Sequence, residues 1–283
     1  AEDGIRDSVA SRGLGDVYKR QAGNATDFGN LTQDTQQAGS CASTIRGVIG
    51  GGFAGGNTNV IQYVTIATPG NATDFGDLIT AQHGVSGLSD TTRGVFCGGT
   101  QDSTSMEYIT IATTGNANNF GDSVAPGRNP ATCANQTRGI VAGGGSNQIG
   151  YITIQTLGDT TDFGDLSWDA QYGVGGSNGT RGLITRGQTD YSVDYITIAS
   201  TGNATDFGDT VNSGAYGWSM GVVGSSIRGL FALGSNDSGT YNNIEYITIA
   251  TTGNSADFGD LSETEVYKAG MSSPTRGLFA GGS

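Results

Sequence analysis

A pattern of alternating side chains recurs along the chain and predicts short β-strands. In Tyr108–Ala112 the two isoleucines fall on one side, and the tyrosine, threonine and alanine on the other. Both sides are moderately apolar, which favours a sheet with neighbours on both faces. A Phe-Gly pair follows each copy of this strand. The copies begin at Tyr63, Tyr108, Tyr151, Tyr195 and Tyr246, and the Phe-Gly pairs begin at Phe28, Phe75, Phe120, Phe163, Phe207 and Phe258.

An Arg-Gly pair begins another apolar strand in every repeat. The steps between successive pairs are 43 to 48 residues long. Four short strands linked by turns within such a repeat are typical of a β-propeller blade. A long β-solenoid is the structural alternative, but its coils are usually far shorter. The repeat arginines are Arg46, Arg93, Arg138, Arg181, Arg228 and Arg276.

The four strands of a repeat are named here in order: a before Arg-Gly, b from Arg-Gly, c from Tyr-Ile-Thr-Ile and d at Phe-Gly-Asp. The C-terminus then supplies only strands a and b, and the N-terminus only strand d. Joining these ends predicts an all-β, six-bladed propeller closed within one blade, with Val17–Gln21 in the vacant c position. The predicted blades span 38–79, 83–123, 129–166, 172–210 and 217–261, and the last combines 265–283 with 27–32.

The first 21 residues match the repeat in no register. Asp16–Gln21 resembles the translation of a transposase end sequence that is used to build DNA-sequencing libraries. Residues 1–21 are therefore predicted to be a non-native leader, with a genuine linker as the alternative. The expected parent is a metagenomic fragment. Residues 22–283 are predicted to form a single domain of six repeats of about 45 residues.

The repeat resembles the kelch family. Leu278–Gly282 looks like the kelch strand that ends in a double glycine, Glu245–Ile249 resembles its following tyrosine-containing strand, and Phe258 stands where kelch repeats usually have tryptophan. The nearly fixed Thr-Gly-Asn-Ala-Thr-Asp-Phe-Gly-Asp segment marks a divergent form, similar to repeats in virion structural proteins of marine bacteriophages. The resemblance implies a β-propeller and, for the divergent form, a phage virion structural protein.

Composition excludes several classes of function. The net charge of −13 argues against a nucleic-acid partner, which would need a basic face. No apolar run approaches the roughly 20 residues of a membrane span, so no membrane insertion is expected. Cys41 and Cys133 occupy the same position in different repeats, so the architecture is expected to keep them apart. A disulfide framework among these two cysteines and Cys97 is therefore disfavoured. A lone histidine, His83, excludes multi-histidine metal sites, and the chain is predicted not to be an enzyme.

The repeated charges are interpreted as scaffold. Each repeat arginine is predicted to pair with a carboxylate or with carbonyl groups of its own or the neighbouring blade. A ring of arginines that binds an anion in the channel is the alternative. In the Asn-Ala-Thr-Asp-Phe-Gly-Asp segment, asparagine and threonine are expected to cap local backbone groups. A Ca²⁺ site in that segment is the alternative, and no other cofactor is predicted.

Loop variation predicts where a ligand binds. The a–b and c–d turns barely differ among repeats, whereas the b–c and d–a loops, which share one face, differ in length and content. Aromatic residues in these variable loops could stack on sugar rings; the alternative is that they only cover the ends of the blades. The candidate residues are Trp168, Tyr172, Tyr191, Tyr216, Trp218, Tyr241 and Tyr267.

These features together predict a non-enzymatic binding or structural propeller. The first hypothesis is a phage virion or tail-associated protein that contacts a host-surface glycan or another virion protein. The alternatives are a bacterial secreted or surface adhesion propeller and, from another class, a polysaccharide-cleaving enzyme. The expected location is the virion or the extracellular space, and the expected partners are a glycan or protein surface, including further copies of the chain in a larger assembly.

Overall fold

Short antiparallel strands make up the computed structural model, which describes residues 13–18, 23–100, 103–125, 127–187, 190–210, 221–232, 234–236, 239–264, 266–274 and 276–282. Throughout these ranges the regular structure is β-strand, without an α-helix, so the predicted all-β class is confirmed. None of the described residues belongs to an apolar helix of membrane-spanning length.

Five four-stranded antiparallel sheets are each built from consecutive strands in the order a-b-c-d, which confirms the β-propeller arrangement. A two-stranded hairpin, β21 and β22, interrupts the last of them. The strands of the five blades are β3 (Gly39–Ala42), β4 (Arg46–Gly50), β5 (Val60–Thr65) and β6 (Thr73–Asp77); β7 (Val85–Ser89), β8 (Arg93–Gly98), β9 (Ser105–Thr110) and β10 (Asn118–Asp122); β11 (Ala131–Ala134), β12 (Arg138–Ala142), β13 (Ser146–Thr153) and β14 (Thr161–Ala170); β15 (Gly175–Ser177), β16 (Arg181–Gly187), β17 (Asp190–Thr197) and β18 (Thr205–Asp209); and β19 (Gly221–Gly224), β20 (Arg228–Ala232), β21 (Ser235–Asn236), β22 (Gly239–Thr240), β23 (Asn243–Thr248) and β24 (Ala256–Asp260).

A further four-stranded sheet, called here the composite sheet, joins both ends of the chain in the order β2-β1-β26-β25. Strand β1 takes the c position, although Val17–Gln21 was predicted there; the observed strand begins earlier, and residues 19–22 lie outside the described residues. Asp16 is opposite Leu278, where Tyr63 is opposite Val48 in the first blade. The composite strands are β1 (Gly13–Tyr18), β2 (Thr26–Asn30), β25 (Ala269–Ser272) and β26 (Arg276–Ala280).

The a strands are the inner strands of the arrangement. They contact one another in the order β3, β7, β11, β15, β19 and β25, and β25 contacts β3 again. Their small residues allow this close approach: a Cβ added at Gly87 would lie 2.3 Å from the carbonyl oxygen of Ser40. The Ser40 hydroxyl donates to the carbonyl of Gly270 on its other side, at 2.7 Å. The inner-strand glycines thus serve close contacts between neighbouring sheets.

Apolar side chains fill the space between facing sheets. In one such core, Val48 and Phe75 of the first blade pack with Phe96 and Ile109 of the second, all at most 2% exposed. Five similar clusters occur among the described residues. Both faces of a sheet are covered, which explains why both sides of Tyr108–Ala112 are partly apolar.

Each repeat arginine with a described partner joins two sheets through a carbonyl group. The guanidinium of Arg138 lies 4.2 Å above the ring of Tyr151, which makes an edge contact with Phe163. The same guanidinium donates to the carbonyl of Ile198 in the next blade, at 2.9 Å. Of the two partners that were predicted, carboxylate or carbonyl, these contacts show the carbonyl. Equivalent bonds run from Arg46 to Ile111, from Arg93 to Ile154, from Arg181 to Ile249 and from Arg276 to Ile66.

The Thr-Gly-Asn-Ala-Thr turn joins sheets at the opposite edge, and we call this junction the outer clasp. The N–H groups of Gly202 and Ala204 donate to the carbonyls of Phe163 and Asp165 in the preceding blade, both at 2.8 Å. The Asn203 side chain accepts the N–H of Asp165 at 3.1 Å. Asparagine therefore bonds the neighbouring sheet, and the expectation that it caps local groups was wrong. The six residues in this position are Asn24, Asn71, Asn116, Asp159, Asn203 and Asn254.

The outer clasp requires the glycine of Phe-Gly. At Gly121, φ is 148°, and an added Cβ would lie 2.4 Å from the carbonyl oxygen of Gly158 in the next turn. Only glycine allows the neighbouring backbone this close. The clasp of Gly23 and Ala25 on Phe258 and Asp260 follows the same geometry and ties the composite sheet to the fifth blade.

Candidate functional site

The inner strands surround an axial channel with two different mouths. Residues of all six inner strands line its middle part, a cavity of about 180 Å³. One mouth lies at the a–b turns, which hardly vary among repeats. The other, called here the axial mouth, lies where the variable d–a loops enter the inner strands. A candidate site should therefore be sought at the axial mouth, and the two mouths are described in turn.

The mouth at the a–b turns is a wide hollow of about 720 Å³ with polar walls. Its side chains are engaged in turn formation: the Asn135 side chain accepts the N–H groups of Thr137 and Arg138. Asp90 does the same for Arg93, at 2.8 Å. Burial tends to raise the pKa of Asp90, but hydrogen bonds from Arg93, Gln155 and Thr92 lower it below the usual value. These side chains are already engaged in hydrogen bonds that form the turns, and few of their polar atoms remain for a ligand.

The axial mouth is a smaller cavity of about 100 Å³. Five of its lining residues precede the inner strands of four different sheets: Gln37, Asn129, Tyr172, Tyr267 and Lys268. Glycine, serine and threonine of the inner strands form its floor. The cavity thus combines two tyrosines, two amides and an ammonium group, which suits a polar ligand with a flat or ring-shaped end.

The backbone at this mouth is held in a left-handed conformation. The residue nine positions before each repeat arginine has φ of 56° at Gln37, 73° at Gly84, 47° at Asn129, 59° at Tyr172 and 61° at Tyr267. The sixth equivalent, position 219, lies outside the described residues. For a bulky residue such as tyrosine this conformation is unfavourable, and such strain clusters at ligand sites. Glycine would be easier here, yet two positions carry tyrosine.

Backbone hydrogen bonds link these residues around the axis. The N–H of Gln37 donates to the carbonyl of Tyr267 at 3.3 Å, that of Gly84 to Gln37 at 2.9 Å, and that of Asn129 to Gly84 at 2.7 Å. Each bond connects equivalent positions in adjacent sheets. These bonds hold the backbone of Gln37, Gly84 and Asn129 at the rim of the mouth.

Tyr172 and Tyr267 lie close enough to influence each other. Burial raises the pKa of the Tyr267 phenol, and the Tyr172 phenol raises it further, while a hydrogen bond with the Gln37 side chain partly lowers it. Both tyrosines were predicted as ligand-binding residues, and the structure brings them together at one cavity. Their phenol groups can donate to ligand oxygens, and their rings can cover a sugar face.

The other predicted aromatic residues are not gathered at this cavity. Trp168 packs against the core of its own sheet, with the Arg186 guanidinium 5.8 Å from its ring. Tyr241 is half-buried against another core, and Tyr191 lies in β17. For Tyr241 the packing agrees with the alternative that these rings cover blade ends. Tyr216 and Trp218 fall within 211–220, outside the described residues.

The sequence prediction missed three residues that line the mouth: Gln37, Asn129 and Lys268. They were overlooked because only aromatic residues were considered as candidates. Aligning the repeats on their arginines would have shown that the position nine residues upstream holds glutamine, glycine, asparagine, serine and, twice, tyrosine. Variation in residue type at a position of constant spacing is the sequence signal that could have identified these residues.

The residues considered for metal or acid–base chemistry have structural partners. His83 Nδ1 lies 2.7 Å from Asn57 Oδ1, and burial and the nearby Arg128 lower the pKa of His83. The asparagine oxygens of the proposed Ca²⁺ segment accept backbone N–H groups in the outer clasps, as at Asn203. Within the described ranges, no three His, Cys, Asp or Glu side chains are grouped to hold a metal. Calcium binding stays an untested hypothesis.

The three cysteines are buried, and none forms a disulfide; a disulfide framework had been disfavoured from the sequence. Burial raises the pKa of Cys97 and Cys133 to about 12. It raises the pKa of Cys41 as well. Such thiols are poor nucleophiles at neutral pH, and all three serve as small apolar core residues.

Comparison of the sequence with protein-family models gives no match, and comparison with curated proteins gives no significant match. The kelch and bacteriophage resemblances therefore stay predictions from the repeat itself. The axial mouth must be interpreted from its own geometry.

Proposed function

We propose that this chain is a non-enzymatic binding module, a six-bladed kelch-like propeller in which the composite sheet is the sixth blade. Its ligand is the end of a glycan chain, which enters the axial mouth. The observation that carries this proposal is the placement of Tyr172 and Tyr267, with left-handed backbone, at one cavity. A scaffold alone gains nothing from tyrosine where Gly84 serves equally well.

The small size of the cavity limits what it can hold. A volume of about 100 Å³ is below the roughly 300–1,000 Å³ of pockets that enclose a whole small-molecule ligand. The cavity therefore takes one edge or one substituent of a sugar ring, with the rest of the glycan outside. End-on recognition of this kind fits a module that contacts a surface polysaccharide.

We further propose a phage virion or tail as the setting of this module, on the basis of the repeat's resemblance. Attachment to a host-surface glycan is then its role, and a bacterial surface adhesin would use the same chemistry. Contact with another virion protein is the alternative role. Among the described residues that line this cavity there is no carboxylate pair, so binding without turnover is the expectation.

A glycan array with the whole chain tests this proposal. We expect binding to a subset of glycans that is lost in Tyr172→Gly and Tyr267→Gly and kept in Tyr241→Phe, which lies away from the cavity. Mass spectrometry of bound glycans should show no released product; release would favour the polysaccharide-cleaving alternative. An array that stays empty, or binding that both glycine variants keep, would refute a glycan site at the axial mouth.

A further inference from the structure

A second cavity, called here the Phe53 groove, lies among the variable loops next to the axial mouth. Residues 32–36, 53–55 and 282 line it. Its volume is about 460 Å³, within the roughly 300–1,000 Å³ of pockets that enclose a small-molecule ligand. One wall is the d–a loop that leads from the composite sheet into the first blade, and the other is the b–c loop of the first blade.

Phe53 supplies the aromatic surface of this groove. The other nine phenylalanines of the chain are at most 3% exposed, whereas Phe53 is 37% exposed. The ring is held from the next blade by an edge contact with His83, with 5.7 Å between the ring centroids. His83 Nδ1 in turn lies 2.7 Å from Asn57 Oδ1, in the same loop as Phe53. A single exposed apolar residue is ordinary, but this one is supported and faces a cavity.

Hydrogen bonds fix both walls of the groove. Phe53 and Gln36 exchange two backbone bonds, at 2.8 and 3.2 Å, which join the two loops. The Gln33 side-chain amide donates to the Thr58 hydroxyl at 2.9 Å and so ties the d–a loop to the b–c loop a second time. A wall that is ordered in the free protein lowers the entropic cost of binding a ligand.

The chemistry of the groove suits a neutral sugar ring. Among the described lining residues there is one carboxylate, Asp34, and no lysine or arginine, so an anionic ligand would meet only a like charge. The remaining polar side chains are amides and hydroxyls. A pyranose ring has an apolar face that can cover Phe53 and hydroxyl groups that can bond with Gln33. A wholly apolar ligand would leave the polar wall without partners.

One loop connects the groove with the axial mouth. Gln36 lines the groove, and the next residue, Gln37, lines the axial mouth. Consecutive Cα atoms are only about 3.8 Å apart, so the two cavities are direct neighbours. The axial mouth, of about 100 Å³, holds only part of a sugar ring. The rest of a glycan chain must leave it along the surface, and the groove offers the adjoining cavity.

We propose that the Phe53 groove is a second sugar-binding site, which holds a neutral unit of the glycan whose end enters the axial mouth. The Phe53 ring stacks on this unit, and the Gln33 side chain bonds its hydroxyl groups. The recognised ligand is therefore an oligosaccharide rather than a single sugar. This inference rests on the proposed glycan-binding function and adds the length of its ligand.

The test is an array of linear oligosaccharides of one to four units, built from glucose, galactose, mannose or N-acetylglucosamine and probed with the whole chain. We expect the affinity for the recognised sugar to rise about tenfold or more from one unit to the longer forms, because the additional unit covers the Phe53 ring. Phe53→Ala should remove this rise and leave the affinity for the single unit unchanged. Phe53→Tyr keeps a ring and should keep the rise.

Ile45→Ala is the matched control. Ile45 is 64% exposed but lies in an a–b turn, at the opposite mouth of the channel, so this variant should bind every length as the wild type does. Thermal melts check that the variants fold. If Phe53→Ala is unfolded, Phe53→Leu decides, because it keeps an apolar side chain without a flat ring.

Two negative results are distinguishable. An affinity that does not rise with length, or a rise that Phe53→Ala and Phe53→Leu both keep, would overturn the groove and keep the proposed function. No binding at any length, together with an empty glycan array, would overturn both.

Discussion

The outer clasp and the axial mouth both contain residues with positive φ, but the clasp has only glycine there and the mouth mostly has residues with side chains. In all six clasps the Phe-Gly glycine has φ between 137° and 149°, and no side chain occurs there. At the mouth, four of the five described equivalents carry a side chain at φ between 47° and 61°. The clasp needs glycine because a neighbouring carbonyl occupies the Cβ position. The mouth carries side chains despite this strain, which is the observation behind the proposed ligand site there.

The largest effect is expected at the clasp, where Gly121→Ala should lower the free energy of unfolding by about 4 kcal/mol, through backbone strain and lost clasp bonds. Gly158→Ala is the matched control: φ is 144° there, and no atom lies within 4 Å of the added Cβ. It should cost only the strain, about 2 kcal/mol. Urea denaturation measures both. Equal losses would show that close approach is not the reason for glycine at the clasp.

The contacts of a repeat arginine between two sheets should contribute less to the free energy of unfolding than an outer clasp. Arg138→Met removes the bond to the carbonyl of Ile198 and the contact with the Tyr151 ring, and we expect a loss of about 2 kcal/mol. Arg138→Lys keeps the charge without the planar fork and should recover part of it. Glycan binding at the axial mouth should be unchanged in both variants. Lost binding with unchanged stability would instead support the alternative of an anion-binding arginine ring.

A buried carboxylate at another sheet junction should make stability depend on pH. Glu107 Oε2 accepts the N–H of Ile79 at 2.7 Å. Burial raises the pKa of Glu107. Hydrogen bonds from the backbone of Ile79 and Thr80 lower it by less, so the pKa is raised overall. The folded state therefore holds the proton more tightly than the unfolded state. This contribution is complete below the unfolded pKa and is lost as pH rises through the folded pKa.

Glu107→Gln should remove that dependence, because Gln62 accepts the N–H of Thr32 at 2.7 Å in the equivalent position of the first blade. We expect a higher melting temperature than wild type at pH 7 and no gain near pH 4. Gln62→Glu should introduce the opposite change. Parallel melting curves of wild type and Glu107→Gln across this range would contradict the assignment.

The sequence predicted the strand order within a blade because this order depends on local signals. Period-2 alternation, the Arg-Gly pair and the Phe-Gly pair mark each strand without reference to the rest of the chain. The clasp could not be predicted in this way, since the partner of Asn203 is Asp165, in another sheet. The left-handed φ of Tyr172 was also hidden, because tyrosine has no local preference for it. Contacts between residues that are far apart in the sequence determine such features, and a local sequence pattern does not contain this information.

The smallest change in stability is expected at the axial mouth, for Tyr172→Gly. The backbone is already suited to glycine, as Gly84 shows with φ of 73°. Relief of the strain should offset the lost ring contacts, so the free energy of unfolding should change by no more than about 1 kcal/mol. Glycan binding should nevertheless be lost. Urea denaturation and the glycan array give both results on one preparation. A loss of several kcal/mol would mean that Tyr172 covers the end of its blade as scaffold, and the axial mouth would then resemble the clasp.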